Sequence, residues 1–314
     1  WVISDIHLGS VWFTDPVKIQ GFRNFLGNLT LPNVPVHTLV IAGDLIEMWQ
    51  NPFDENQVPA KTILQSATQL GSPVREFIDL LKRVQQNNIT LVVMPGNHDA
   101  ELLEVDLVNA GLNNVVWRDD AYIVNNLRIE HGHLYDLYNA PDPTGIRPFG
   151  YYVSRAVSTS KRAGSIGSVG VFVCQLILSQ SSVVSAVRYN ALPLLQKVMD
   201  NALGGSLVSS SYTMFNRYKY ASVKQGCFYS DQSEEDVLLG LAVYKYRSLY
   251  DRWIKQQDIE YVQNMVKGGC NEFDYFIARM QQDLVIFGHT HKALVKKVNR
   301  ANGSFATYIN SGSI

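Results

Sequence analysis

Five short stretches of this sequence each gather His, Asp or Asn at the end of an apolar run. "WVIS" leads into Asp5 and His7, "HTLVIA" into Gly43 and Asp44, and "TLVVMP" into Gly96, Asn97, His98 and Asp99. "LRIE" leads into His131 and His133, and "DLVIF" into His289 and His291. Carboxylates, imidazoles and one amide oxygen, without a thiolate, suit first-row divalent ions that keep room for water, such as manganese, iron, zinc or nickel. The chemistry this set supports is two-metal hydrolysis. Two ions roughly 3.5–4 Å apart need a shared ligand, and Asp44 is the candidate. Asp5 and Asp44 only half neutralise such a pair, which leaves charge for a bridging hydroxide and an incoming phosphate. The same charge lowers the pKa of bound water toward neutrality and makes a protein base unnecessary.

The consecutive Asn97, His98 and Asp99 fit this scheme if their side chains diverge. Asn97 offers a metal its carbonyl oxygen, His98 points toward substrate and assists the leaving oxygen, and Asp99 accepts a hydrogen bond from His98 to fix its ring. Gly96 is the flexible residue of the tight turn this requires.

The elements that must position these residues are strands and helices in alternation. Short Val- and Ile-rich runs suggest strands buried on both faces. Between the first three lie helical patterns. In residues 16–29, Ile19, Phe22, Phe25, Leu26 and Leu29 share one face, behind a proline suited to a first turn. In 73–88, Val74, Phe77, Leu80, Leu81 and Val84 do the same. The order β-α-β-α-β places a site at the carboxyl ends of the strands, where all five polar clusters sit.

Asp-x-His (5–7), Gly-Asp-x-x-Glu (43–47), Gly-Asn-His-Asp (96–99), His-Gly-His (131–133) and Gly-His-Thr-His (288–291), in that order, resemble the calcineurin-like metallophosphoesterase superfamily. The resemblance implies an α/β fold, a β-sandwich flanked by helices with a dinuclear centre at its edge. It implies that Asp5, His7, Asp44 and His291 hold one divalent ion, and Asp44, Asn97, His131 and His289 the other. It makes His98 the catalytic histidine. "ISDIHLGS", "GDLIEMW", "FGHTHKA" and "YINSGS" look most like the UDP-2,3-diacylglucosamine hydrolase group, which implies cleavage of a pyrophosphate in a nucleotide-linked, lipid-bearing substrate. This likeness covers 1–136 and 282–314.

The rest of the chain bounds the reading. At 314 residues, 46% hydrophobic and 18% charged, it suits a globular protein with a substantial core. Lys plus Arg (27) nearly balances Asp plus Glu (28), which weighs against a nucleic-acid substrate. Cys174, Cys227 and Cys270 are too far apart for a paired metal or redox motif, and buried free thiols are expected. The chain starts at Trp1 in a strand-like run, so the lack of a targeting signal decides nothing, and a cytoplasmic or peripheral-membrane location is favoured.

The 155 residues between His133 and His289 are too many for a structureless loop. A mainly helical cap over 141–281 is therefore expected within a catalytic domain of 1–140 and 282–314, with one helix over 231–266 that starts at Ser233. Residues 163–187 carry no charge, but their serines and glycines favour a buried helix over a peripheral membrane contact or a span.

Other polar residues have plainer roles. His37 is expected in a surface or capping role. His133 could ligate metal but is favoured behind the ligands; Glu47 is expected behind the ligands or in a structural role; Asp136 orients a neighbour or caps a segment. Arg147, Arg155, Lys161 and Arg162 hold phosphate or, more commonly, a solvated face. Tyr and Trp in 244–261 are core. The expected function is hydrolysis of a phosphodiester or pyrophosphate by a metal-bridging hydroxide. Rivals are a phosphomonoesterase or protein phosphatase, a nuclease, and a non-catalytic metal-binding protein.

Overall fold

The computed structural model describes residues 1–10, 16–31, 35–52, 54–141, 147–148, 150–152, 154–155, 158, 222–223, 226–227, 233–234, 237–238, 259–268 and 271–312. The uncharged stretch 163–187, the Lys161–Arg162 pair, the side chains of all three cysteines and most of the expected cap lie outside the described residues. Two compact units emerge: Trp1–Met48, Val58–Gly132 and Ile277–Ile314 make the first, Trp49–Gln57 and His133–Phe276 the second.

The first unit begins with β1 (Val2–Ile3), α1 (Pro16–Leu29), β2 (Thr38–Ala42), α2 (Ala60–Gln65), α3 (Pro73–Gln86), β3 (Thr90–Met94), α4 (Glu104–Asn109) and β4 (Val116–Trp117). The four strands form one parallel sheet in sequence order. Both helices read from the apolar spacing are present, α1 over the expected span and α3 ending at Gln86. The period of two along a strand decides which side chain faces where. Val40, Ala42, Val92 and Met94 point one way; the alternate residues Leu39, Ile41, Leu91 and Val93 are buried on the other. On that second side α3 packs against β3 and α1 against α3, with Phe22 and Phe77 edge to face at 5.1 Å. Buried side chains such as these each contribute about 1.5–3 kcal/mol.

A second sheet contains β5 (Ala121–Val124), β6 (Leu127–Glu130), β7 (Leu284–Phe287), β8 (Leu294–Asn299) and β9 (Phe305–Asn310), in the order β8-β9-β7-β6-β5. β7 is parallel to both β6 and β9, while β5 and β8 are antiparallel edges. Ile129 packs in the same cluster as Val40, Ala42, Val92 and Met94, joined by Tyr122, Leu127 and Ile286. The two sheets therefore share one core, as in a sandwich. Asn125 turns the β5–β6 hairpin with φ 51°, a conformation Asn tolerates.

In the second unit the single helix expected over 231–266 is not found. Ser233–Glu234 and Val237–Leu238 are short strands, paired antiparallel with Gly226–Cys227 and Ser222–Val223 respectively, and among the described residues of this stretch helix occupies Ile259–Gly268. Val237 lies opposite Val223 in the backbone register, a pairing that the helical count does not reveal. Arg147 and Arg155 are buried rather than solvated. Arg155 donates to the Tyr151 hydroxyl at 2.5 Å and to the carbonyls of Pro52 at 2.7 Å and Glu55 at 2.5 Å, and the Arg147 guanidinium lies 4.4 Å from the Tyr151 ring centre. These contacts make both arginines core residues of this unit. Among the described residues no helix is long and apolar enough to cross a membrane.

Candidate metal centre

The first two site loops continue the pairing of the strands they follow. Asp5 N donates to Gly43 O, His7 N to Asp44 O, Leu8 N to Leu45 O and Glu47 N to Leu8 O, all within 2.8–3.2 Å. This zipper holds Asp5 and His7 beside Asp44. The cost is backbone strain, because Asp5, His7, Asp44, His289 and His291 all take positive φ, between 53° and 68°. Left-handed backbone in a side-chain-bearing residue costs roughly 1–2 kcal/mol and persists where the surroundings enforce it.

Five of the seven expected ligands thus carry the strain. Gly43 adopts φ 85°, and a Cβ there would meet the His131 ring. Gly96 has no positive φ, contrary to the flexible turn expected of it. It is glycine because a Cβ would lie 2.6 Å from Asp44 N and 2.7 Å from His131 Cδ2.

The donor atoms form two groups. In the first, Asp5, His7, Asp44 and His291 each offer an atom within 4.8 Å of the others. His7 Nε2 and His291 Nε2 are 3.3 Å apart, Asp5 Oδ1 is 3.2 Å from His291 Nε2, and Asp44 Oδ2 is 3.7 Å from His7 Nε2. In the second, Asn97 Oδ1 lies 3.1 Å from both His131 Nε2 and His289 Nδ1, and Asp44 Oδ2 lies 3.3 Å from His131 Nε2. One oxygen, Asp44 Oδ2, faces both groups. The other, Oδ1, accepts the His98 backbone N–H at 2.8 Å.

The donor chemistry fits divalent metal. His131 Nδ1 donates to Ala42 O at 2.8 Å and His7 Nδ1 to Glu47 at 3.0 Å, which leaves each Nε2 as a lone pair aimed into its group. Lone pairs that converge on carboxylate and amide oxygens in a buried space repel unless a cation or a proton lies between them.

Protons fill that role in the metal-free protein. Burial would lower the His131 pKa, but Asp44 and Asp5 outweigh it and raise it to about 9. Burial would raise the Asp44 carboxyl, yet His131, His98 and His7 hold it well below the usual range. Asp5, Asp44, Asn97 and His131 form a buried floor, whereas the His291 side chain is 48% exposed.

His98 and Asp99 depart from the expected pairing. His98 Nδ1 lies 2.8 Å from Glu47 Oε1, and the same carboxylate takes His7 through Oε2. Burial would raise the Glu47 pKa, but His98 and His7 lower it to about 2, so it stays ionised. Glu47 thus takes the place expected of Asp99 as the partner of His98. Its signal was present, since it ends the Gly-Asp-x-x-Glu stretch.

Asp99 is fully buried and accepts four backbone N–H groups: Gly96 at 2.6 Å, Leu45 at 2.6 Å, Asp44 at 3.2 Å and Ile46 at 3.2 Å. It fastens the β2 loop to the β3 loop. Asp136 caps its own turn, taking Tyr138 N at 2.9 Å and Asn139 Nδ2 at 2.6 Å. His133 belongs to the second unit.

No curated protein matches this chain. At the family level, residues 1–157 match the calcineurin-like phosphoesterases, a span that includes Asp5, His7, Asp44, Asn97, His98 and His131. His289 and His291 lie beyond it and reach the same place because β7 pairs with β6. The chain belongs to the calcineurin-like phosphoesterase family, and it is a metal-dependent hydrolase acting on phosphoester bonds.

Proposed function

We propose that this protein is a dinuclear phosphohydrolase specific for phosphodiesters or pyrophosphates. Asp5, His7, Asp44 and His291 would hold one ion, and Asp44, Asn97, His131 and His289 the other. The observation that carries this reading is the single oxygen Asp44 Oδ2, which lies between two otherwise separate donor groups. Such a centre, when bound, supplies Lewis-acid activation of water and of the phosphoryl oxygens.

The protein's own residues would do the rest. Glu47 holds His98 through Nδ1, which orients the ring so that Nε2 would be the atom to protonate the leaving oxygen. The raised pKa of His98, where Glu47 and Asp44 outweigh burial, keeps that proton available near neutrality. The buried floor excludes water behind the ions, and the exposed edge of His291 leaves the opposite side open to substrate. Likeness in the short motifs supports a nucleotide-linked lipid of the UDP-diacylglucosamine kind as the first natural substrate to try.

The test is hydrolysis of bis(p-nitrophenyl) phosphate against p-nitrophenyl phosphate with manganese, with chelated protein as the blank. Metal-dependent preference for the diester is the expected result. Preference for the monoester would replace this reading with a phosphomonoesterase.

A further inference from the structure

The last described residues of the chain reach back to the first site loop. Ser311 Oγ lies 2.6 Å from Ser4 Oγ, and Ser4 Oγ hydrogen-bonds Asp5 Oδ2. Several contacts hold this arrangement. Ser311 N donates to Phe287 O at 2.8 Å, and Asn310 Nδ2 donates to Gly288 O at 2.6 Å. Gly312, at φ 71°, returns its N–H to Asn310 Oδ1 at 3.0 Å. Gly288 has no room for a side chain, since a Cβ would lie 2.5 Å from Ser4 Cβ and 2.7 Å from Asp5 Oδ2. Three backbone segments, from β1, β7 and β9, therefore converge behind one carboxylate.

The direction of the bonds follows from counting protons. Ser4 has one hydroxyl hydrogen and three neighbours: Asp5 Oδ2, Ser311 Oγ and, at 3.2 Å, Gly312 O. Ser311 has one as well, with Ser4 Oγ at 2.6 Å and Phe287 O at 3.2 Å as candidate acceptors. A carboxylate is the strongest acceptor among these, so Ser4 gives its proton to Asp5. Ser4 Oγ then accepts from Ser311, the shorter of that residue's two contacts. Donation in series strengthens each bond. It also distinguishes the two Asp5 oxygens. The His289 backbone N–H is shared between them, at 3.0 Å to Oδ2 and 3.1 Å to Oδ1, while Oδ2 alone takes the Ser4 hydroxyl and Oδ1 alone faces His291 Nε2 at 3.2 Å.

We infer that Ser311 and Ser4 are positioning residues for the metal ligand Asp5, acting as a donor chain from the end of β9 that fixes which Asp5 oxygen faces the ion shared with His7, Asp44 and His291. This inference rests on the proposed dinuclear centre. Partners that orient a ligand characteristically set metal affinity by roughly 10–100-fold. The donor atoms of Asn97, His131 and His289 make no hydrogen bond to Ser4 or Ser311; His289 meets Asp5 only through its backbone N–H.

The experiment is competitive-chelator titration of manganese on the full chain, comparing wild type with Ser311→Ala, Ser311→Thr, Ser4→Ala and the Ser4→Ala/Ser311→Ala double variant. Wild type should bind two ions. Ser311→Ala should weaken one of them by roughly 10-fold or more while the other keeps its affinity. Ser311→Thr, which keeps the hydroxyl, should restore it. Because the serines act in series, the double variant should match Ser4→Ala alone. Equal affinities in wild type and Ser311→Ala would overturn the relay. So would equal weakening of both ions that Ser311→Thr does not rescue, accompanied by a lower unfolding midpoint of the metal-free protein. Wild type that binds no ion would instead overturn the dinuclear reading, and the relay with it.

Discussion

Glu47 shows how one carboxylate can serve two imidazoles with different tasks. Oε2 fixes the ring of His7, a proposed ligand, and Oε1 fixes His98, the proposed proton donor. The rings of His7 and His98 stand edge to face at 4.8 Å, so a shift in one is felt by the other. Glu47→Gln keeps the size of the side chain but has one acceptor oxygen for two N–H donors. It should therefore weaken metal binding by roughly 10–100-fold and slow turnover as well. His98→Ala should retain both ions and slow turnover alone, by roughly 10²–10⁴-fold. Metal content and kcat measured together separate the two. If Glu47→Gln kept full metal content at limiting manganese, its hold on His7 would have no bearing on the ligand. The sequence placed the right acid within reach of His98 but chose its immediate neighbour, because adjacency along the chain says nothing about which way a side chain turns.

At the scale of elements, the site depends on loops that leave the strands early. β1 ends at Ile3, two residues before Asp5, and the pairing with the β2 loop continues through backbone bonds outside the sheet. Asp99 completes this by accepting N–H groups from both the β2 and β3 loops, against the combined effect of burial and the Asp44 charge, which push its carboxyl up to about 7. Replacing Asp99 with Asn turns one of its two oxygens into a donor and strands two buried N–H groups, at about 1–3 kcal/mol each. Denaturant unfolding of the metal-free Asp99→Asn protein should show that loss. If stability were unchanged and only the pH profile of turnover moved, Asp99 would be the partner of His98 after all.

The helices α1 and α3 were legible because an apolar stripe every three or four residues survives in the folded protein. The edge strand β8 was not. Its Leu294, Val295 and Lys297 are exposed, so no alternation of burial marks it. The start of the helix expected over 231–266 fails for the opposite reason: at Ser233–Glu234 and Val237–Leu238 a good helical pattern loses to cross-strand pairing.

Across the whole chain, the seven proposed ligands come from three separated segments of one unit, the last of which begins at Ile277. An ion bound by all of them would bind only the folded chain, so metal should raise unfolding stability by mass action, about 2.7 kcal/mol at a hundred times the dissociation constant. The pH dependence of that gain follows from His131. Its folded pKa of about 9 exceeds the ordinary imidazole value of 6.5. In the metal-free protein the proton on His131 therefore contributes stability that is complete below about 6.5 and is lost as pH rises through about 9. A metal ion needs the neutral ring and must displace that proton, so its apparent affinity should rise about tenfold per pH unit over the same window for each proton released. The two trends oppose each other. Thermal unfolding at pH 6.5, 7.5 and 8.5, with manganese and with chelator, should show the two midpoints drawing further apart as pH increases. Midpoints separated by the same interval at every pH would mean that no proton leaves when metal enters, and that His131 is not among the ligands.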